Sequence, residues 1–481
     1  MKELHENQRF WGIWELLMIS IPASLSLLNT TVTRFIDGLM IGWMAGEIGP
    51  ISLSAQATAS MTAMVPESFM MGVLSVVNTF VSQNLGSGRH RWCGKYSWAG
   101  LWVAFGAATV IAPLALFAGP LIRLYGHEHA VEVLEIMYFR YMVLAAFLTL
   151  PARVLESFFF GIHRSTVVFA ATLVSAVINI FFNWVLIYGR RGMPRLELQG
   201  AAIGSVIAWG VHLGILLVVF FTRPMRRTFG TGRPAEAGVT QVRDLFRIGW
   251  PAGTAFSNDV FTWTIFIGLL VGRFGTTHLT ASSIAWRYIP LSFMPAVGMG
   301  IATTVMVGNY IGRNRHDLAR VRTHAGLMAA MIWMGICGVA FLVFREPLVE
   351  FFLRLPGANG EGLATDMYNE VVRIGGNVMI AAAVFQLFDA VGIIYMGALR
   401  GAGETYWPMI VTVVLSWVVT VGGGLAMVNF LPQFESIGPW IAGSAYVILL
   451  GILMAWRFER GSWIKINLLD NNRESSEQDS D

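Results

Sequence analysis

Apolar residues along this chain come in runs too long for the core of a soluble domain. Stretches with few charges begin near Trp14, Ala55, Ser97, Tyr138, Val167 and Ala201, and again near Ile248, Thr280, Gly326, Ile374, Trp407 and Ile437. Each holds about 20 residues, enough for a helix to cross a hydrocarbon core of about 30 Å. The pattern predicts an all-α polytopic membrane protein with about twelve transmembrane helices. Pro66, Pro290 and Pro295 interrupt the second and eighth runs and blur their limits.

The longest polar interruption is Arg223 to Asp244, RPMRRTFGTGRPAEAGVTQVRD, after the sixth run. Its Gly, Pro and Arg content reads as a cytoplasmic linker at 223–244. It separates an N-terminal lobe, 1–222, from a C-terminal lobe, 245–460, which a polar cytoplasmic tail, 461–481, follows. The lobes share sequence. Ile36-Asp-Gly-Leu-Met-Ile-Gly42 lines up with Phe266-Ile-Gly-Leu-Leu-Val-Gly272, and Gln83-Asn-Leu-Gly-Ser-Gly-Arg-His90 with Asn309-Tyr-Ile-Gly-Arg-Asn-Arg-His316. Phe160-Gly-Ile-His-Arg164 then lines up with Met396-Gly-Ala-Leu-Arg400, in the same order. Six spans per lobe is an even number, so both lobes run the same way and form a parallel pseudo-two-fold repeat.

Composition supports this reading. The 481 residues are 55% hydrophobic and 13% charged, against about 25% charged in soluble domains. The net charge of +4 is no nucleic-acid footprint, because the arginines lie between spans rather than on one face. Loops on one side, with Arg89, Arg91, Lys95, Arg164, Arg313 and Arg315 among their residues, and the two termini outweigh the other side about three to one in Lys and Arg. That bias places both termini in the cytoplasm. MKELHENQRF is mixed in charge and no cleavage site follows the first apolar run, so no removable signal peptide is expected. Cys93, in a basic loop, and Cys337, inside a span, make neither a disulfide framework nor a zinc site.

The chemistry lies in charges that the spans cannot easily hold. Asp389 falls in the middle of the tenth run, where a carboxylate costs about 2.5–3.5 kcal/mol on the mildest scale. Phe385, Gln386, Gly392 and Ile393, within a turn of it, carry no charge, and the segment from Gly397 to Gly403 is expected to end the helix. Asp37 and Asp259 are also deep, Asp37 lying about 39 Å of helix beyond Trp11. Such aspartates are expected to line a cavity and bind a cation, a proton or both. Asn179 and Asn183 share a helix face. Their amide oxygens near an aspartate would suit a small cation such as sodium, or they hydrogen-bond between helices. Arg34, one turn before Asp37, could pair with it, and Arg287 could answer one of the aspartates. Glu67, beside Pro66, is left without a role, and Glu156 reads as an ion pair with Arg153. Gly88 to Lys95, GRHRWCGK, lacks phosphate-loop spacing, and His127-Glu-His129 reads as solvated. No nucleotide-hydrolysing domain and no set of nucleophile, base and metal ligands is recognisable.

Pro22 to Gly42 with its Phe35-Ile-Asp37-Gly core resembles the MATE (multidrug and toxic compound extrusion) exporters. So do Gln83-Asn-Leu-Gly-Ser-Gly-Arg89 and Leu387-Phe-Asp389 through Gly397-Ala-Leu-Arg-Gly401. The resemblance spans nearly the whole chain up to the tail. Asp259 with Asp389 resembles the NorM-type branch, where the seventh-span acid is more usually glutamate. Asn179 and Asn183 fall where the family has a polar pair near the first-helix aspartate, and Ser205 where many members have threonine. Arg34 and Arg287 stand where that branch is usually uncharged. The resemblance implies two six-helix lobes in a V around a central cavity, in the inner membrane, functional as a monomer. It implies antiport of organic cations or amphipathic drugs against protons or sodium ions. Asp37, Asp259 and Asp389 would couple and bind, and Asn179, Asn183 and Ser205 would act as cation ligands, with sodium a candidate at Asp37, Asn179 and Asn183. Arg34, Glu67 and Arg287 would modulate. No cofactor beyond the ion and no nucleic-acid partner is implied; the partners are the bilayer and the substrate. A flippase for a lipid-linked precursor, from the related superfamily, is the alternative, and the two arginines favour its more basic cavity.

Overall fold

The computed structural model describes residues 2–44, 48–353 and 365–466, with Leu468, so most of the expected tail lies outside the described residues. The first helices are α1 (Lys2–Gly42), α2 (Ile48–Ser75), α3 (Val77–Gly86), α4 (His90–Ile111), α5 (Ala118–Arg123), α6 (His129–Leu144), α7 (Ala146–Gly161), α8 (Ser165–Tyr188) and α9 (Glu197–Phe220). Then come α10 (Arg223–Phe229), α11 (Val239–Ile265), α12 (Thr276–Gly312), α13 (His316–Val343), α14 (Arg345–Leu353), α15 (Thr365–Gly401), α16 (Tyr406–Leu415), α17 (Gly424–Phe430) and α18 (Ile437–Glu459). No strand occurs among the described residues. Among the described residues eleven segments are long and apolar enough to cross a membrane, and α6 with α7, bent by 42°, makes a twelfth if the pair is one span. Each takes in one of the twelve apolar runs.

The chain divides into two compact units, residues 25–253 and residues 1–24 with 254–481. We call them the N-terminal and C-terminal units. The division cuts two helices, α1 after Ser24 and α11 after Gly253, and each carries a proline just ahead of the cut, Pro22 and Pro251. The 223–244 segment is folded: α10, a 3₁₀ turn at Pro234–Glu236 and the start of α11, all in the N-terminal unit. There, α1 runs along α8, with Asn29 Nδ2 donating to Thr172 O (3.0 Å) and the Tyr188 hydroxyl to Met40 O (2.7 Å). In the C-terminal unit the first part of α1 lies on α12 and α13. Ser24 Oγ donates to Pro295 O (2.8 Å), and Tyr310 and Arg322 both reach Glu15 Oε2, at 3.0 and 3.3 Å.

The backbone repeats between units. Past α3, Arg89 N donates to Asn84 O (2.9 Å) around left-handed Gly88; past α12, Arg315 N donates to Tyr310 O (2.8 Å) around left-handed Asn314. Past α7 and α15 the same closure runs from Arg164 N to Phe159 O and from Glu404 N to Leu399 O, both 2.8 Å, around His163 and Gly403. This six-to-one bond is the Schellman end of a helix.

It also corrects one register. Arg164 corresponds to Glu404, not Arg400, so the third sequence match is one helical turn out. The segment from Gly397 to Gly403 ends α15 as expected, at Gly401 with left-handed Gly403 beyond it, though not at its first glycine, Gly397. Gly397 lies within the helix, where a Cβ would come 2.6 Å from Gly300 O, and its carbonyl accepts from Thr304 Oγ1 (2.8 Å). Close packing requires that glycine, whereas Gly161 stands at a helix end. Cys93 is likewise not in a loop: α4 starts at His90 and buries it, its thiol donating to Val81 O (3.4 Å).

Candidate functional site

In the N-terminal unit the two asparagines of α8 meet the aspartate of α1. Asn183 Nδ2 donates to Asp37 Oδ1 (2.8 Å) and to Asn179 Oδ1 (3.2 Å), and Asn179 Nδ2 reaches Ser205 Oγ of α9 (3.4 Å). Both asparagines and Ser205 are buried and Asp37 is half-buried. α9 makes room with Gly204, where a Cβ would lie 2.1 Å from Asn183 Oδ1. That oxygen is buried without a hydrogen-bond partner among the described residues, an omission worth about 1–3 kcal/mol. Carboxylate, amide and hydroxyl oxygens together are the donor set of a hard cation.

The expected charge partners are placed differently. Arg34 is exposed and, among the described residues, forms no ion pair; it acts on Asp37 electrostatically, while Asn183 supplies the hydrogen bond. Glu67 is buried and accepts from Thr149 Oγ1 of α7 (3.3 Å). Glu156 pairs with Arg153 (3.3 Å) as expected, but also with His212 of α9 (3.0 Å). Sequence reasoning passed over that histidine, although its place in the apolar run of α9 was a signal. His127 is not merely solvated, since its Nδ1 lies 2.8 Å from buried Glu135.

In the C-terminal unit three helices converge. The Tyr446 hydroxyl of α18 donates to Asp259 Oδ1 of α11 (3.0 Å). Asp389 of α15 feels the charge of Asp259, which in turn lies in the field of Arg400, and among the described residues Asp389 has no ion pair or hydrogen bond. Arg287 does not answer either acid. Its guanidinium lies 5.1 Å from the centre of the Phe352 ring, where the π face takes the place of a counter-ion. Next to Asp259, Asn258 donates to Ser416 Oγ (2.8 Å) and accepts from Trp417 Nε1 (2.9 Å). Those two residues open a π-helical stretch, Ser416–Gly423, and a second, Phe266–Val271, follows α11. Such widened turns recur at functional sites. Neither Tyr446 nor Asn258 was expected: a lone Tyr or Asn in an apolar run carries no pattern. Among the described residues no cluster of three or more His, Cys, Asp or Glu could hold a metal ion.

The MatE family model matches residues 22–185 and 255–424. The chain is 26% identical over 469 residues to the "Probable multidrug resistance protein NorM" of Pseudomonas putida, covering 92% of this chain and 94% of that protein. A protein of the same name from Rhizobium meliloti is 27% identical over 437 residues, 87% of each chain. Among solved structures, a MOP superfamily transporter from Pyrococcus furiosus superposes with a TM-score of 0.84 at 17% identity, over 95% of this chain and 97% of that one. The eukaryotic MATE transporter AtDTX14 gives 0.83 at 17%, over 95% and 98%. At such identities the likeness is one of fold. The two matched segments make up most of the chain, and between them they hold Asp37, Asn179, Asn183, Asp259 and Asp389; the chain belongs to the MatE family of membrane transporters.

Proposed function

We propose that this chain is a secondary active multidrug exporter of the cytoplasmic membrane. It antiports organic cations or amphipathic drugs against protons or sodium ions by alternating access. The observation that carries the reading is Asp389, a carboxylate inside the tenth span with no hydrogen bond or ion pair among the described residues and in the repelling field of a second acid, Asp259. A positive charge from outside the protein relieves that repulsion, and a proton, a sodium ion or a cationic drug can each bring it. Competition for one place is the simplest coupling of two opposed fluxes. In the other unit Asp37, Asn179, Asn183 and Ser205 would hold the second ion; Arg34 and Glu67 there, and Arg287 in the C-terminal unit, would modulate from outside the ligand sets. The names of the NorM relatives support drugs as cargo, and the arginine bias supports cytoplasmic termini. A membrane potential supplies about 2.3 kcal/mol per charge per 100 mV, enough to drive concentration without a nucleotide.

The test is purified protein in liposomes without ATP, with sodium and pH gradients imposed separately and a fluorescent organic cation as substrate. Uptake should follow one gradient and vanish in Asp389→Asn at unchanged expression. Strict ATP dependence, or full transport by Asp389→Asn, would overturn the reading.

A further inference from the structure

One face of α4 changes character along its length. Arg91, Lys95, Trp98, Trp102, Phe105 and Thr109 follow at alternating intervals of four and three residues, which aligns them on one side of the helix. The face begins basic, passes through two indoles and becomes apolar. Trp102 and Phe105 are 53% and 43% exposed. This is the profile of a surface that passes from headgroups into hydrocarbon.

The basic end is built up by a distant segment. α10 and the Pro234–Glu236 turn are clamped on α4. Trp98 Nε1 donates to Thr231 O (2.9 Å), and a Cβ on Gly94 would collide with Phe229 O. Arg226 and Arg233 thereby join Arg91 and Lys95. Arg233 donates to Glu236 Oε1 (2.8 Å). With Lys95 and Arg91 adding their fields, that bond holds the Glu236 carboxyl below the usual carboxylate range. Arg91, Lys95, Arg226 and Arg233 against Glu236 leave an excess of positive charge. The clamp neutralises none of it: it consists of an indole, a carbonyl and a glycine, and the rings that Lys95 and Arg226 lie over, Trp92 at 4.8 Å and Phe221 at 5.5 Å, carry no charge.

We propose that this corner binds an anionic diacyl lipid, its phosphodiester among Arg91, Lys95 and Arg233 and an acyl chain along Trp102 and Phe105. A free anion would use the basic end alone and a zwitterionic lipid mainly the apolar stretch. The continuity of the two on one helix face matches a molecule that has both. Basic residues at a membrane surface each favour anionic lipid about five-fold.

Full-length protein in nanodiscs of equal phosphatidylglycerol and phosphatidylcholine is extracted, and the retained lipid is counted by native mass spectrometry. Phosphatidylglycerol should be enriched about tenfold or more. The Arg91→Gln, Lys95→Gln, Arg233→Gln triple variant should lose the enrichment, and Trp102→Ala should retain less lipid of either kind. Arg313→Gln with Arg320→Gln, basic residues of the other unit, should leave it unchanged. Equal retention of both lipids overturns the proposal, as does equal loss in the Arg313 and Arg320 control. Displacement by millimolar inorganic phosphate would show a bare anion site and overturn it as well.

Discussion

Gly204→Ala tests the Asp37 site without touching any of its polar groups. The added Cβ would lie 2.1 Å from Asn183 Oδ1 and 3.2 Å from both Asn183 Cγ and its backbone N. Non-bonded heavy atoms rest at about 3.5 Å, so the amide must retreat by more than about 1 Å. Its 2.8 Å bond to Asp37 cannot stretch that far and survive. Overpacking costs about 1–3 kcal/mol, and the better helix propensity of Ala returns at most about 1 kcal/mol. Gly214→Ala, on the same helix with nothing within 4 Å of its Cβ, receives only the gain. Melting of both variants is followed in detergent and gradient-driven uptake in liposomes. Gly214→Ala should melt no lower and transport normally. Gly204→Ala should melt lower and lose uptake, as Asn183→Ala should. Combining Gly204→Ala with Asn183→Ala removes the clash with Oδ1, so stability should return toward that of Asn183→Ala while transport stays absent. Normal uptake and melting in Gly204→Ala would refute the idea that Asn183 must sit where it does.

Tyr446→Phe removes a hydrogen bond to a carboxylate, worth about 1.5–3 kcal/mol, and should shift the pH or sodium concentration giving half-maximal uptake more than the maximal rate. If Asp259 and Asp389 share one positive charge, uptake by Asp259→Asn with Asp389→Asn should be no lower than by the worse single variant; additive losses would separate them. Arg322→Met leaves partly buried Glu15 facing Tyr310 alone and should lower stability by up to about 3–5 kcal/mol, read by melting, with Glu15→Gln restoring part of it.

The spans were legible because a bilayer imposes a length on every apolar run, and each expected start fell inside a helix. The Asp37 site was legible too, since a four-residue spacing must place two asparagines on one face. Charge partners were not. Arg34 is one turn from Asp37 in sequence, yet Asn183, 146 residues away, makes the bond. Arg287 turned to an aromatic ring, a choice that depends on which helix packs alongside. Glycines were legible only as a group: the segment from Gly397 to Gly403 does end α15, but Gly397 serves close packing while Gly401 and left-handed Gly403 make the end, and both tasks select the same residue. The 223–244 segment looked like a linker because its few anchors, Trp98 with Thr231 and Gly94 with Phe229, lie on another helix.

The repeat conserves the path of the backbone but not the placement of charge. The match of Ile36–Gly42 to Phe266–Gly272 sets Asp37 against Ile267 and Asp259 against Asn29. The two acids thus sit eight residues apart in equivalent helices, about 12 Å along the axis. The partners differ as well. α8 brings Asn179 and Asn183 to Asp37, whereas the widened stretch Ser416–Gly423 of the other unit has no amide side chain, and Asp259 finds a phenol and a second carboxylate. Helix ends repeat because a left-handed residue and a six-to-one bond suffice for them, and many sequences provide both. Each intramembrane acid carries a penalty of about 2.5–3.5 kcal/mol, so an aspartate stays only where surrounding groups or a bound charge offset it. One unit offsets it with the Asn183 N–H and the charge of Arg34 acting on a single carboxylate. The other sets two carboxylates in each other's field, one bonded to a phenol and within the field of Arg400, the other with no hydrogen bond or ion pair among the described residues. A substitution at one acid therefore does not report on its repeat counterpart, and each unit has to be tested at its own residues.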